Sequence, residues 1–362
     1  MSTPTAAPRR ATLVTRALRV AEMVTTPLLP ADYLDLINPL RAGADLRGRI
    51  VDVRRETADA VTLVIRPGRG WRGHVPGQYI RIGVDVDGVR QWRAYSLTCP
   101  ASAPDGLISV TVKAIPDGKV SNHLVRRTHP GTLIMLDQAT GDFVLPEQRP
   151  AKVLFLTAGS GITPVMGMLR NHVDELADVV VLHSAPTADD VVFGAELREL
   201  AATGRITLLE QHTETAGLLS LEELASRVPD WAERHTWACG PTGLLDAAEE
   251  HWAAAGIGDR LHTERFRPTV VTAGEGGTVT FAQQGQVVDA DGATPILDAG
   301  EEAGVLMPSG CRMGICFGCV VPLRDGAVRD LRDGELTTAT PENPVPIQTC
   351  VSAAAGPCEI EL

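Results

Sequence analysis

No run in this sequence approaches the roughly 18 consecutive apolar residues that a membrane-spanning helix requires, so no such helix is expected. Positive charge is also in deficit. Forty-five acidic residues face 33 Lys and Arg, a formal net charge of −12 that makes nucleic acid a poor partner. There is no internal repeat and no low-complexity tract. An even cysteine framework is missing as well: the seven cysteines are an odd number, and five fall after position 310. Arg9-Arg10 suggests a twin-arginine export signal, but Arg16, Arg19 and Glu22 interrupt the apolar run that such a signal needs. The expected location is therefore the cytoplasm, where disulfides are rare.

What is present has an ordinary globular balance, 44% apolar and 22% charged, and 362 residues suffice for two to four domains. Charge is unevenly placed. From Glu275 onward there are 13 acidic and four basic residues, whereas residues 1–25 hold four Arg and one Glu. Within 11–25, Leu13, Val14, Ala17, Leu18, Ala21 and Val24 fall on one helical face. That helix could pack on the domain behind it, or dock to a partner or to the inner face of a membrane.

The texture then changes twice. Residues 45–148 run as six short alternating strands between Gly, Pro and Asp turns, the pattern of an antiparallel β-barrel. Residues 149–268 alternate near-continuous apolar strands (AKVLFLTAG, DVVVLHSA, RITLLEQ, HTWACG) with helices, which predicts a doubly wound α/β sheet. A 269–277 linker leads into 278–362, with a hairpin, a short helix and a cysteine loop. Residues 1–44 form an N-terminal helical extension.

In that loop, SGCRMGICFGC, the spacing is Cys311-x4-Cys316-x2-Cys319, with Cys350 thirty-one positions on. Four thiolates at this spacing suit a plant-type [2Fe–2S] cluster. The loop must wrap the cluster closely, which Gly310, Gly314 and Gly318 permit. Zinc is the main rival, yet zinc sites usually show paired short knuckles and only one is here. Cys358 is expected to be a core thiol. Residues 278–362 resemble a plant-type ferredoxin domain of the β-grasp α+β class, and the resemblance assigns Cys311, Cys316, Cys319 and Cys350 as ligands.

In the barrel, Arg93-Ala94-Tyr95-Ser96 could hold a phosphate, stack on a flat ring and donate a hydrogen bond. Taken with Gly118-Lys119-Val120-Ser121, it resembles the flavin site of the ferredoxin–NADP reductase superfamily. The resemblance implies that Arg93 binds the flavin phosphate, Tyr95 packs on the ring and Ser96 sits near its reactive nitrogen. Gly118, Val120 and Ser121 would hold a pyrophosphate, which favours FAD, and Lys113 joins the same set. Gly159-Ser160-Gly161-Ile162-Thr163-Pro164 opens a helix and offers N–H groups to a pyrophosphate; Gly159, Gly161, Thr163 and Pro164 are the candidate residues. Cys239-Gly240-Pro241 matches the family position beside the nicotinamide, and Phe266 the residue covering the flavin. Ser96 and Cys239 are the candidate catalytic pair.

The implied activity is an oxidoreductase that takes hydride from NADPH or NADH and passes electrons singly, through FAD and the cluster, to a terminal partner. Asp189 and Asp190, with no base nearby in sequence, lean towards NADH. The segment TTPLLPADYLDLINPL resembles the reductase partners of membrane acyl-CoA or fatty-acid desaturases, and those relatives generally prefer NADPH. The alternatives are the reductase of a soluble ring-hydroxylating dioxygenase or monooxygenase, a non-enzymatic electron-transfer subunit, and a zinc-bearing interaction module.

Overall fold

The computed structural model describes residues 34–35, 37–41, 43–86, 88–116, 118–266, 275–310, 312, 314 and 317–362. The predicted helix at 11–25, most of the linker, Cys311 and Cys316 lie outside the described residues. No described helix is long and apolar enough to cross a membrane.

Six strands form the first sheet: β1 (Arg47–Arg55), β2 (Ala60–Pro67), β3 (Tyr79–Val86), β4 (Val89–Ser96), β5 (Ile108–Lys113) and β6 (Leu133–Leu136). Their order is β4-β3-β6-β1-β2-β5, and every pairing is antiparallel. Just past β4, Leu97 bridges to Val110, and Thr98 N donates to Ser109 O at 2.9 Å, so the two outer strands meet and the sheet closes on itself. Inside are Ile50, Leu63, Ile65, Ile80, Ile82, Val110 and Val112, each contributing about 1.5–3 kcal/mol by its burial. Helix α1 (Lys119–Arg126) caps one end with Val120 and Leu124 buried.

The second sheet is parallel, in the order β11-β10-β7-β8-β9: β7 (Lys152–Ala158), β8 (Asp178–Ala185), β9 (Thr207–His212), β10 (His235–Cys239) and β11 (Leu261–Glu264). Separate apolar clusters cover its two faces. Helices α2 (Ile162–His172), α3 (Gly194–Ala202) and α4 (Thr242–Ala254) provide the crossovers. Two features depart from the sequence reading. The expected helix after β9 is broken into two four-residue turns, Thr213–Ala216 and Leu224–Arg227, because Gly217 at φ 73° ends the first. A fifth strand, β11, extends the sheet beside β10.

The last module is a mixed sheet, β13-β12-β17-β14-β15, with β16 also paired to β14. Its strands are β12 (Gly277–Phe281), β13 (Gln286–Ala290), β14 (Val320–Asp330), β15 (Leu336–Ala339), β16 (Val345–Gln348) and β17 (Ser352–Ile360). The β12–β13 hairpin is antiparallel and β12–β17 parallel, and helix α5 (Ile296–Glu302) buries Ile296 and Leu297 against them. An antiparallel barrel, a doubly wound α/β sheet and an α+β module are thus the architecture.

Helix α2 fixes the first two modules together. A Cβ on Gly167 would lie 2.4 Å from Leu97 O, so only glycine lets the helix approach this closely. Arg170 donates to Thr98 O at 2.6 Å, and Asn171 bonds both Cys99 O (3.1 Å) and Ala101 N (2.8 Å). The end of β4 is thereby held beside the helix whose other end carries the glycine loop.

Candidate functional site

That placement opens one cavity of about 730 Å³ where the three modules meet, a size typical of a cofactor pocket. The barrel contributes Arg93, Tyr95, Ser96, Lys113, Gly118, Val120 and Ser121 to its walls, all anticipated from sequence. The nucleotide-sheet module contributes Ser160, Thr163, Glu264 and Phe266. From the last module come Asp298, Glu302, Arg312 and Cys350.

Arg93 lies within β4, opposite Ile82 of β3, and donates to Trp92 O at 2.8 Å. Burial, and next the neighbouring Arg312, push its pKa down to about 10. A cation in that state favours an anion beside it. Three residues on, Ser96 is buried, and its Oγ has no hydrogen-bond partner among the described residues. Between them Tyr95 is packed on the barrel core, and burial raises its phenol pKa. Gly118 precedes α1; a Cβ there would lie 2.5 Å from both Ile115 Cγ1 and Ser121 Oγ. Ser121 Oγ donates to Gly118 O at 3.2 Å, which tightens the turn. Lys113 is paired to Asp59 at 2.6 Å. A half-buried cation, an orphaned hydroxyl and a glycine turn opening a helix fit a phosphate-bearing flavin.

Across the cavity, Gly159 (φ 54°) and Gly161 turn the chain from β7 into α2. A Cβ on Gly161 would sit 2.0 Å from Cys239 O. The glycine loop and Cys239-Gly240-Pro241 are therefore packed backbone to backbone at the point where the strand order reverses, the usual ligand crevice of such sheets. Gly161→Ala is expected to destabilise the protein by about 1–3 kcal/mol and to raise KM for the nucleotide; thermal denaturation and steady-state kinetics would check it. Thr163 Oγ1 donates to Ser160 O at 2.9 Å, and Pro164 is buried in the first turn of α2.

Cys239 is fully buried. Burial, with a smaller effect from Glu264, puts its thiol pKa well above the usual range. Glu264 is the residue that sequence reasoning missed. It pairs with Cys239 across β10–β11, its Oε2 has no hydrogen-bond partner among the described residues, and burial pushes its pKa up to about 8. Phe266 stands at the cavity wall, 37% exposed. In the loop after β8, Asp190 accepts from Thr187 Oγ1 at 2.7 Å. A base absent from the local sequence arrives from α3: Arg198 donates to Ala188 O (3.1 Å) and pairs with Glu210 (2.9 Å).

Of the four candidate metal ligands, Cys319 and Cys350 are described, both buried, with sulfurs 3.2 Å apart. Paired thiols brought together from residues 31 apart are half of the four-thiolate donor set a [2Fe–2S] centre needs. Their loop is held by Gln348 Nε2 and Arg332 on Gly314 O, at 2.9 and 3.3 Å. Gly314 takes φ 75°, and two residues that are not glycine share the left-handed region, Arg312 (61°) and Phe317 (56°). Cys358 is a core thiol, 5% exposed, its pKa pushed up to about 11 by burial.

Comparison with known proteins agrees with this order of modules. An oxidoreductase FAD-binding domain matches residues 63–145, an oxidoreductase NAD-binding domain 155–250, and a 2Fe-2S iron-sulfur cluster binding domain 279–355. The chain is 54% identical over 353 residues to the NADPH oxidoreductase of Mycobacterium tuberculosis, spanning 95% of this chain and 91% of the relative. It belongs to the flavin- and [2Fe–2S]-containing NAD(P)H reductases. The reductase is also 32% identical over 294 residues to the glycine betaine monooxygenase reductase subunit of Pseudomonas aeruginosa, with 72% and 80% of the two chains covered. Phthalate dioxygenase reductase shares the fold at a TM-score of 0.61 and 20% identity, over 87% of this chain and 97% of that one. The reductase is an oxidoreductase that uses FAD, a [2Fe–2S] cluster and a pyridine-nucleotide donor.

Proposed function

We propose that this reductase draws reducing equivalents from NADPH and delivers them singly to an oxygenase component. FAD, when bound, can accept a hydride and release electrons one at a time, and the cluster carries one. Arg93, Lys113, Gly118, Val120 and Ser121 would hold the flavin's phosphates, with Tyr95 and Phe266 against its ring and the Ser96 hydroxyl on its polar edge. Gly159, Gly161, Thr163, Pro164, Gly240 and Pro241 would hold the nucleotide, with Cys239 walling the nicotinamide. Cys311, Cys316, Cys319 and Cys350 would ligate the cluster. What supports this reading is that Ser96, Thr163 and Cys350, one candidate residue each for flavin, nucleotide and cluster, line one cavity.

Two relatives guide the finer choices. The one at 54% identity is called an NADPH oxidoreductase, and Arg198 beside the β8 loop, although shared with Glu210, is a guanidinium of the kind a 2′-phosphate requires; the relative's name weighs against the Asp189–Asp190 argument for NADH. The relative named as a monooxygenase reductase subunit favours an oxygenase acceptor over the desaturase implied by the N-terminal segment, and over contact with a membrane through residues 11–25. Anaerobic titration with each nucleotide, followed by visible absorbance and low-temperature EPR, tests this. Flavin bleaching followed by a reduced-cluster signal, faster with NADPH, is expected. No bleaching with either nucleotide would defeat the proposal. Reoxidation of the reduced protein by a soluble oxygenase, compared with desaturase-containing membranes, separates the two acceptors.

A further inference from the structure

The junction holds more charge than a flavin site on the barrel alone accounts for. Arg312 belongs to the cluster loop, adjacent in sequence to Cys311, yet its side chain lines the same cavity as Arg93. Both guanidinium groups line this one cavity, and Arg312 is the largest charged influence on Arg93. Two partly buried like charges repel unless an anion lies between or beside them. The described structure offers part of the answer: Arg312 is held by α5, bonding Asp298 at 2.6 Å and Glu301 through its other terminal nitrogen. Glu302 of the same helix also reaches the cavity. Among the described residues no carboxylate bonds Arg93 directly: its hydrogen bond goes to the Trp92 carbonyl, and Glu301 and Asp298 act on it only at longer range.

We propose that Arg312 is a second guanidinium for the flavin's phosphate, reaching from the ferredoxin module to a ligand whose other contacts are on the barrel. This rests on the reading of Arg93 as the flavin-phosphate residue. The phosphate then links two modules, and flavin binding seats the ferredoxin module against the barrel. By linkage, whatever affinity Arg312 adds for the flavin is the same factor by which the flavin favours the docked arrangement. The carboxylates of α5 set the strength of that link, because they compete with the phosphate for Arg312.

The test uses deflavinated, cluster-loaded full-length protein, titrated with FAD and with riboflavin, which lacks phosphate, by flavin fluorescence. Arg312→Gln should raise the Kd for FAD about tenfold, the scale of one charge-assisted hydrogen bond, and leave riboflavin unchanged, with Arg312→Lys intermediate. FAD, and not riboflavin, should slow amide exchange in α5 of the wild-type protein. Unchanged FAD affinity in Arg312→Gln, with the cluster spectrum intact, overturns the proposal. If Arg93→Gln is equally without effect, the flavin-site reading itself fails, which is a separate result. Should Arg312→Gln lose its cluster, the double variant Asp298→Asn/Glu301→Gln decides: it frees Arg312 and should bind FAD several-fold more tightly, and no tightening refutes the clamp.

Discussion

Replacing Cys350 with serine is expected to abolish the reduced-cluster EPR signal and to slow NADPH-driven reduction of a one-electron protein acceptor by roughly 100-fold, about 2.7 kcal/mol of barrier. Reduction of a small dye that takes electrons from the flavin should stay within about twofold of wild type. The argument begins with the thiol's position. Cys350 is buried, 3.2 Å from Cys319 Sγ, and lines the cavity shared with Ser96 and Glu264. A serine hydroxyl there is a harder and far less acidic donor than a thiolate, so one corner of a four-thiolate site is lost. The nucleotide walls and the barrel's share of the flavin walls belong to other modules with their own cores, and nothing in those cores depends on the substitution. Cys316→Ser should behave in the same way. A parallel collapse of dye reduction would instead mean that the substitution disturbs more than the cluster site and unseats the ferredoxin module together with the flavin.

Much of this architecture was legible because its signals are local. The six barrel strands alternate with period two between turn residues, and each was found where expected. The β7, β8 and β10 runs are so continuously apolar that only a strand buried on both faces accommodates them. Cysteine spacing is covalent information and needs no fold to be read.

What escaped was set by neighbours distant in sequence. The four residues of β11, LHTE, are all half-buried and show no alternation; they form a strand because β10 offers an open parallel edge. With β11 unseen, Glu264 looked like the end of a domain, not a carboxyl facing a cavity beside Cys239. The helix after β9 was expected from the βαβ rhythm, but one glycine at φ 73° divides it. Arg312 and Phe317 show the converse case: residues that normally avoid the left-handed region are held in it by the cluster loop. The meeting of Arg93 with Arg312 has no sequence signature at all, since 219 positions and two module boundaries separate them.

Glu264→Gln should make stability less dependent on pH, and the sign follows from its environment. In the unfolded chain this carboxyl ionises near 4.5; in the fold, burial holds it protonated up to about 8. Below pH 4.5 it is neutral in both states and costs nothing. Between 4.5 and 8 the unfolded state releases a proton that the folded state retains, so wild-type stability falls by up to about 1.4 kcal/mol per pH unit; above 8 the loss is complete and constant. Glutamine mimics the neutral acid and cannot ionise. The variant should therefore match wild type near pH 4.5 and gain on it by roughly 3–6 °C in Tm per pH unit up to pH 8. Parallel melting curves across that window would refute the burial argument. A second readout addresses function. Oxidised nicotinamide carries a positive charge that the reduced ring lacks, and an ionised carboxylate lining the cavity favours it. The wild-type kcat/KM for NADPH should rise through an inflection near pH 8 that Glu264→Gln lacks. An inflection retained in the variant would assign that proton to another group and leave Glu264 as a buried acid with no part in the reaction.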